Sequence, residues 1–176
     1  MRVGIVDYYE RKDGKNSLLK ALSKLGHSYT IINGTEPDVL QQIQQSPIKK
    51  WICTGANLHV LKPESPQVPT GITKLKKDFV LICYSMESFM HQMGYPIYCR
   101  KENKNEKCNL KHGEITINAH RNHFCYVPTC KLDSRVQLIS SHRGETMTVI
   151  YKNLILVQWH PEGSADGCAF LEKWLE

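Results

Sequence analysis

Phe79-Val80-Leu81-Ile82-Cys83-Tyr84-Ser85 decides how this chain is read. Four apolar residues, Phe79 to Ile82, form a short strand, and a helix-like stretch from Tyr84 to Met93 begins directly after Cys83. Met86, Phe89, Met90 and Met93 fall on one face of that helix, and Gly94 closes it. Cys83 therefore stands at a helix N-terminus, where the positive end of the dipole favours a thiolate. Far downstream, Val157-Gln158-Trp159-His160-Pro161-Glu162 ends another apolar run with an imidazole and a carboxylate two residues apart. A thiol on a strand-to-helix elbow, a base, and an acid to orient that base are the minimum apparatus for acyl transfer.

The segments around the elbow repeat its alternation. Val3 to Val6 reads as a strand, and Ser17 to Leu25 as a helix with Leu18, Leu22 and Leu25 on one face and Gly26 as its cap. Tyr29 to Ile32 is the next strand, Thr35-Glu36-Pro37-Asp38 opens a helix carrying Val39, Leu40 and Ile43, and Trp51 to Cys53 is a third strand. The second half is mostly strands: Glu114 to Asn118, Phe124 to Val127, Arg135 to Ser140, Thr146 to Tyr151 and Leu154 to Trp159, with turns at Arg143-Gly144 and Asn153. A last amphipathic helix spans Gly167 to Leu175. Lys101 to Lys111 is polar and reads as a mobile loop. The expected fold is α/β: a doubly wound, mostly parallel sheet with helices on both faces, an antiparallel β-ribbon in the second half, and a final strand returned to the main sheet.

Composition narrows the field. A chain of 176 residues with 41% hydrophobic and 23% charged residues suits one soluble domain over residues 1–176. No apolar run nears the roughly 18 residues that span a bilayer, and Asp7 interrupts the first apolar run, so no membrane role and no signal peptide is expected. The net charge of +6 gathers around Lys74-Lys76-Lys77 and Arg100 to Lys111. No aromatic side chains alternate with those lysines, so they read as solvated surface rather than a nucleic-acid site. Seven cysteines without secretory context are expected to be reduced, in a cytoplasmic protein.

Parallel sheets present ligands at the carboxyl ends of their strands. Cys83 ends one strand and His160 another, so both reach one edge. His160 would accept the thiol proton and return it to the leaving group, with Glu162 holding the imidazole in one tautomer. For an oxyanion, Tyr84 offers one backbone N–H and the turn Thr54-Gly55-Ala56-Asn57 the second, with Gly55 permitting close approach. A rival reading is metal binding by Cys108, His112, His120, His123, Cys125 and Cys130. Their spacing fits no common zinc module and contains no Cys-x2-Cys pair, so no metal is assigned.

Val157-Gln158-Trp159-His160-Pro161-Glu162 resembles the Val-Gln-[Phe/Trp]-His-Pro-Glu signature of class I glutamine amidotransferases. Leu81-Ile82-Cys83-Tyr84-Ser85-Met86-Glu87 falls where that family has Gly-[Ile/Val]-Cys-x-Gly-x-Gln, and Thr54-Gly55-Ala56-Asn57 falls on its oxyanion turn. Ile117-Asn118-Ala119-His120-Arg121-Asn122-His123 is similar to the Val-Asn-Ser-x-His segment of the γ-glutamyl hydrolase branch, toward which Trp159 also leans. The resemblance implies a flavodoxin-like fold, a Cys83-His160-Glu162 triad, and hydrolysis of a small-molecule γ-glutamyl amide through a glutamyl-thioester, with no cofactor. Gly55, Ala56 and Tyr84 would form the oxyanion hole, and Glu87, Asn118, Ala119 and His120 would lie at the substrate. Three positions depart from the family pattern: Leu81 and Ser85 replace glycines, and Glu87 replaces a glutamine near bound substrate. Glu87 would either disfavour the Cys83 thiolate or recruit the substrate's α-amino group. Three roles stay open: a free-standing hydrolase, a glutaminase subunit feeding ammonia to a separate synthetase, and a catalytically impaired binding or scaffold subunit.

Overall fold

The computed structural model describes residues 1–11 and 13–176. Strands and helices alternate through β1 (Arg2–Asp7), α1 (Asn16–Lys24), β2 (Ser28–Asn33), α2 (Val39–Gln45), β3 (Lys50–Cys53), β4 (Asp78–Ile82) and α3 (Tyr84–Gln92). A β-rich half follows, with β5 (Tyr98–His112), β6 (Ile115–Tyr126), β7 (Gln137–His142), β8 (Glu145–Tyr151) and β9 (Leu154–Val157), and then α4 (Ala165–Leu175). Seven strands form one sheet in the order β2-β1-β3-β4-β9-β8-β7. The pairs β1–β2, β1–β3, β3–β4 and β4–β9 are parallel, and β9–β8 and β8–β7 are antiparallel. The expected flavodoxin-like α/β architecture is present.

Burial on both faces explains why β4 is apolar without a break. Phe79 and Leu81 point to one core with Val39, Ile43 and Phe89 from α2 and α3. Val80 and Ile82 point to the other, with Leu18, Leu22 and Leu171 from α1 and α4. Each such fully buried side chain contributes about 1.5–3 kcal/mol, and a parallel sheet covered twice selects this pattern. At Gly4 a Cβ would stand 2.2 Å from the Trp51 ring, so glycine lets the indole lie flat on β1. The register sets Ile82 opposite Val157. The residues just beyond both strands therefore meet at one sheet edge.

The stretch Lys101 to Lys111 is not a loop but most of β5, paired antiparallel with β6. Only Cys108 and Leu110 of it turn into the core, against Ile117 and Ala119, while Lys107, Asn109 and Lys111 face out. So few inward apolar residues leave a weak alternation signal. For the same reason Glu114 to Asn118 and Phe124 to Val127 are parts of one strand, β6. The polar run between them pairs with β5, and its Arg121 and His123 are buried. Cys99 and Cys125 stand opposite one another in this hairpin and are joined by a disulfide. The expectation of reduced thiols therefore fails for this pair, while Cys53, Cys83, Cys108, Cys130 and Cys168 are free. Among the described residues, no helix is long and apolar enough to cross a membrane.

Candidate active site

Cys83 lies between the last residue of β4 and the first of α3, with φ 50°. A left-handed backbone at a non-glycine residue costs about 1–3 kcal/mol, and such strain concentrates at working sites. Three neighbours hold it: Cys83 N–H donates to Val157 O at 2.7 Å, Glu87 N–H donates to Cys83 O at 3.0 Å, and the backbone N–H of Tyr84 favours the thiolate.

Two of the departures from the family pattern find partners here. Leu81 is fully buried in the core beside α3. Ser85 Oγ donates to Thr54 O at 2.5 Å, tying α3 to the turn that carries Gly55. The elbow keeps its shape without either glycine.

His160 follows β9. Its N–H donates to His120 O at 2.7 Å, and its Nδ1 lies 2.9 Å from Glu162 Oε1. With Nδ1 so engaged, the buried Nε2 makes no other hydrogen bond among the described residues, and the imidazole and the Cys83 thiol are close enough to shift one another. A Cβ at Gly55 would be 3.1 Å from His160 Cε1 and 3.5 Å from Cys83 Cβ. The Gly55 turn therefore sits against both, and Ala56 shares a cavity wall with Cys83.

Electrostatics set the resting state. Burial pushes the Cys83 thiol up and Glu87 adds to this, while His160 opposes. Burial works against the imidazolium of His160, but Glu162 and Cys83 outweigh it and hold the ring well above its ordinary value. Burial likewise works against the Glu162 carboxylate, and His160 more than offsets it. Glu87 is buried and pushed up to about 7, against the pull of Gln158 and His160.

A cavity of about 160 Å³ opens beside the sulfur, walled by Cys83, Glu87, Asn57, Asn122, His123 and Phe124 among others. The sulfur is 3.8 Å from Asn122 O. His123 Nε2 lies 3.0 Å from Glu145 Oε2, and its Nδ1 is buried with no hydrogen-bond partner among the described residues. Burial first, then Arg121 and Arg100, push His123 down to about 3. Both arginines also pair with Glu145, so the neutral imidazole donates a hydrogen bond to a carboxylate already balanced in charge.

The structure thus brings Cys83, His160, Glu162, Gly55, Ala56, Tyr84 and Glu87 together. It does not bring Asn118 and Ala119 to the cavity. Asn118 bonds Asn109 and the Asp166 carboxylate, and Ala119 is buried in the core on the other face of the ribbon. His120 lies beside His160, with ring centroids 6.2 Å apart, and bonds Asn105. It packs so tightly against the turn after His160 that a Cβ at Gly163 would meet its Nδ1 at 2.4 Å. The cavity wall on β6 comes from the next residues, Asn122, His123 and Phe124. Of the six residues weighed as metal ligands, Cys108 packs in the core, His112 bonds Ser140 and Thr148, and Cys125 is in the disulfide. Cys125, its partner Cys99 and His59 form the one three-ligand group among the described residues, and its two sulfurs are already bonded to each other.

The class-I glutamine amidotransferase family profile matches residues 5–172, and the chain belongs to that family. A search of curated protein sequences returns no match. Among solved structures it is similar to a putative GMP synthase subunit from Thermoplasma acidophilum, at 14% identity and TM-score 0.74, covering 98% of this chain and 91% of that one. It is also similar to a glutamine amidotransferase from Thermotoga maritima, at 13% identity and TM-score 0.67, covering 99% of this chain and 80% of that one. At these identities the likeness concerns the fold.

Proposed function

We propose that residues 1–176 form one amidotransferase-like domain that hydrolyses γ-glutamyl amides through Cys83. The observation that carries this reading is a thiol on a positive-φ elbow, beside a buried His160–Glu162 pair, opening on a cavity of about 160 Å³.

In this reading His160 Nε2 takes the thiol proton as sulfur attacks the amide carbonyl. The oxyanion is held by the N–H groups of Tyr84 and of the Gly55-Ala56 turn. His160 then protonates the departing nitrogen, the C–N bond breaks, and a glutamyl-thioester remains. Water, deprotonated by His160, attacks the thioester and releases glutamate. Glu87, buried at the cavity, faces the substrate's α-ammonium. A cytoplasmic setting would keep the five free cysteines, Cys83 among them, reduced, with the Cys99–Cys125 disulfide as the exception.

A second reading, a glutaminase subunit serving a separate synthetase, draws on the Thermoplasma neighbour's description as a synthase subunit. Release of amine and glutamate from γ-glutamyl amides by the isolated chain, lost in Cys83→Ser, supports the free-standing hydrolase. Turnover that appears only after a synthetase is added favours the subunit. Absence of turnover in both settings overturns the catalytic reading.

A further inference from the structure

A groove of about 420 Å³ adjoins the cavity and shares Asn57, Leu58 and Phe124 with it. Tyr9, just past the carboxyl end of β1, lines this groove. Its hydroxyl lies against the Gly55 turn that also meets His160. The point where a Gly55 Cβ would stand is 3.1 Å from Tyr9 Oη and 3.1 Å from His160 Cε1. Burial, then the charges of Glu162, Cys83 and Asp7, push the phenol up, so it stays protonated.

In the hydrolase reading the two spaces would hold the two sides of a γ-glutamyl amide. Glu87, Asn122 and His123 wall the cavity and do not reach the groove, whereas Tyr9, His59 and Pro66 wall the groove and do not reach the cavity. The departing nitrogen must lie against His160, which protonates it. Tyr9 stands at that side. A substituent on the nitrogen would lead past Tyr9 into a groove that offers the carbon surfaces of Leu58, Pro66 and Phe124, on whose ring His59 packs at 5.3 Å, with Glu10, Lys62, Glu64 and Ser65 around them for a polar chain end. Glutamine carries no such substituent and leaves the groove unused.

We propose that Tyr9 positions the leaving nitrogen and that the groove receives its substituent, so that the substrate class is a γ-glutamyl amide of an alkylamine rather than glutamine. This rests on the hydrolase reading above. The chemistry is unchanged: the C–N bond breaks, the amine leaves with the proton from His160, and water releases glutamate from the thioester.

The test is kcat/KM of the full chain for glutamine, γ-glutamyl-methylamide and γ-glutamyl-butylamide; the methyl and butyl amides have leaving amines of nearly equal basicity, so their ratio reads the groove alone. Apolar contact along the butyl chain is expected to favour it over glutamine by about tenfold or more. Thr35, an exposed groove residue away from the cavity, supplies the second arm: Thr35→Trp is expected to erase the butyl advantage and leave glutamine turnover intact. Tyr9→Phe is expected to lower kcat while KM holds, a split that a purely structural role would not produce. Glutamine turned over as well as the butylamide, or a butyl preference that survives Thr35→Trp, overturns this inference and leaves the hydrolase reading standing. Hydrolysis of none of the three overturns both.

Discussion

Gln158 Nε2 donates to Glu87 Oε1 at 2.8 Å, deep in the core and 3.8 Å from the Cys83 sulfur. The residue just past β9 and the first turn of α3 are joined beside Cys83 by this amide. It gives a buried carboxylate a partner, yet burial still holds Glu87 up at about 7. Glu87 is thus the group whose charge state changes nearest to neutral pH in the cavity.

Above about pH 7 Glu87 is ionised, and its charge raises the Cys83 thiol. Glu87→Gln removes that charge and keeps the shape. The pH midpoint for alkylation of Cys83 by iodoacetamide is expected to move to lower pH in the variant. An unmoved midpoint would show that Glu87 does not act on the sulfur.

The same carboxyl makes stability depend on pH. Its folded value, about 7, lies above the ordinary 4.5, so the folded chain holds a proton that the unfolded chain has lost. Stability from this group is full below about pH 4.5 and declines as pH rises to about 7, by about 3 kcal/mol. Glu87→Gln should therefore gain on the wild type in urea unfolding at pH 8 and show little advantage at pH 4.5. Equal differences at both values would contradict this.

Glu162→Gln leaves a neutral hydrogen-bond partner for His160 but removes the charge that raises the imidazole. A fall in kcat of about 10²–10⁴-fold is expected, by analogy with loss of the charged orienting acid in other triads. KM should change little, since Glu162 is outside the cavity wall.

Ser85→Ala cuts the tie between α3 and Thr54 O and leaves a buried carbonyl short of a donor. A loss of about 1–3 kcal/mol in stability is expected. Activity should fall further than stability, because Thr54 precedes the Gly55 turn that faces Cys83 and His160.

The elbow and the His160–Glu162 pair were legible in the sequence because each is local: a strand running into a helix, and two groups spaced two apart. Their meeting was legible too, since parallel strands present their carboxyl ends together. The ribbon was not. Lys101 to Lys111 buries only Cys108 and Leu110, so its alternation is hidden under lysines and asparagines. Without β5 in place, the register that brings Asn122, His123 and Phe124 to the cavity, and leaves Asn118 and Ala119 off it, had no visible cause. Tyr9 escaped for a related reason. It lies outside any regular element, and only the packing around Gly55 sets its hydroxyl and the His160 ring against the same turn. The Cys99–Cys125 bridge depends on the same hidden register.

The central claim is that Cys83 is a nucleophile activated by His160, and the direct measurement is intact-mass and peptide mapping after exposure to a γ-electrophilic glutamine analogue. One adduct is expected, on Cys83, absent in Cys83→Ser and strongly slowed in His160→Ala. An adduct confined to Cys130 or Cys168, or labelling of Cys83 at the same rate without His160, would contradict it.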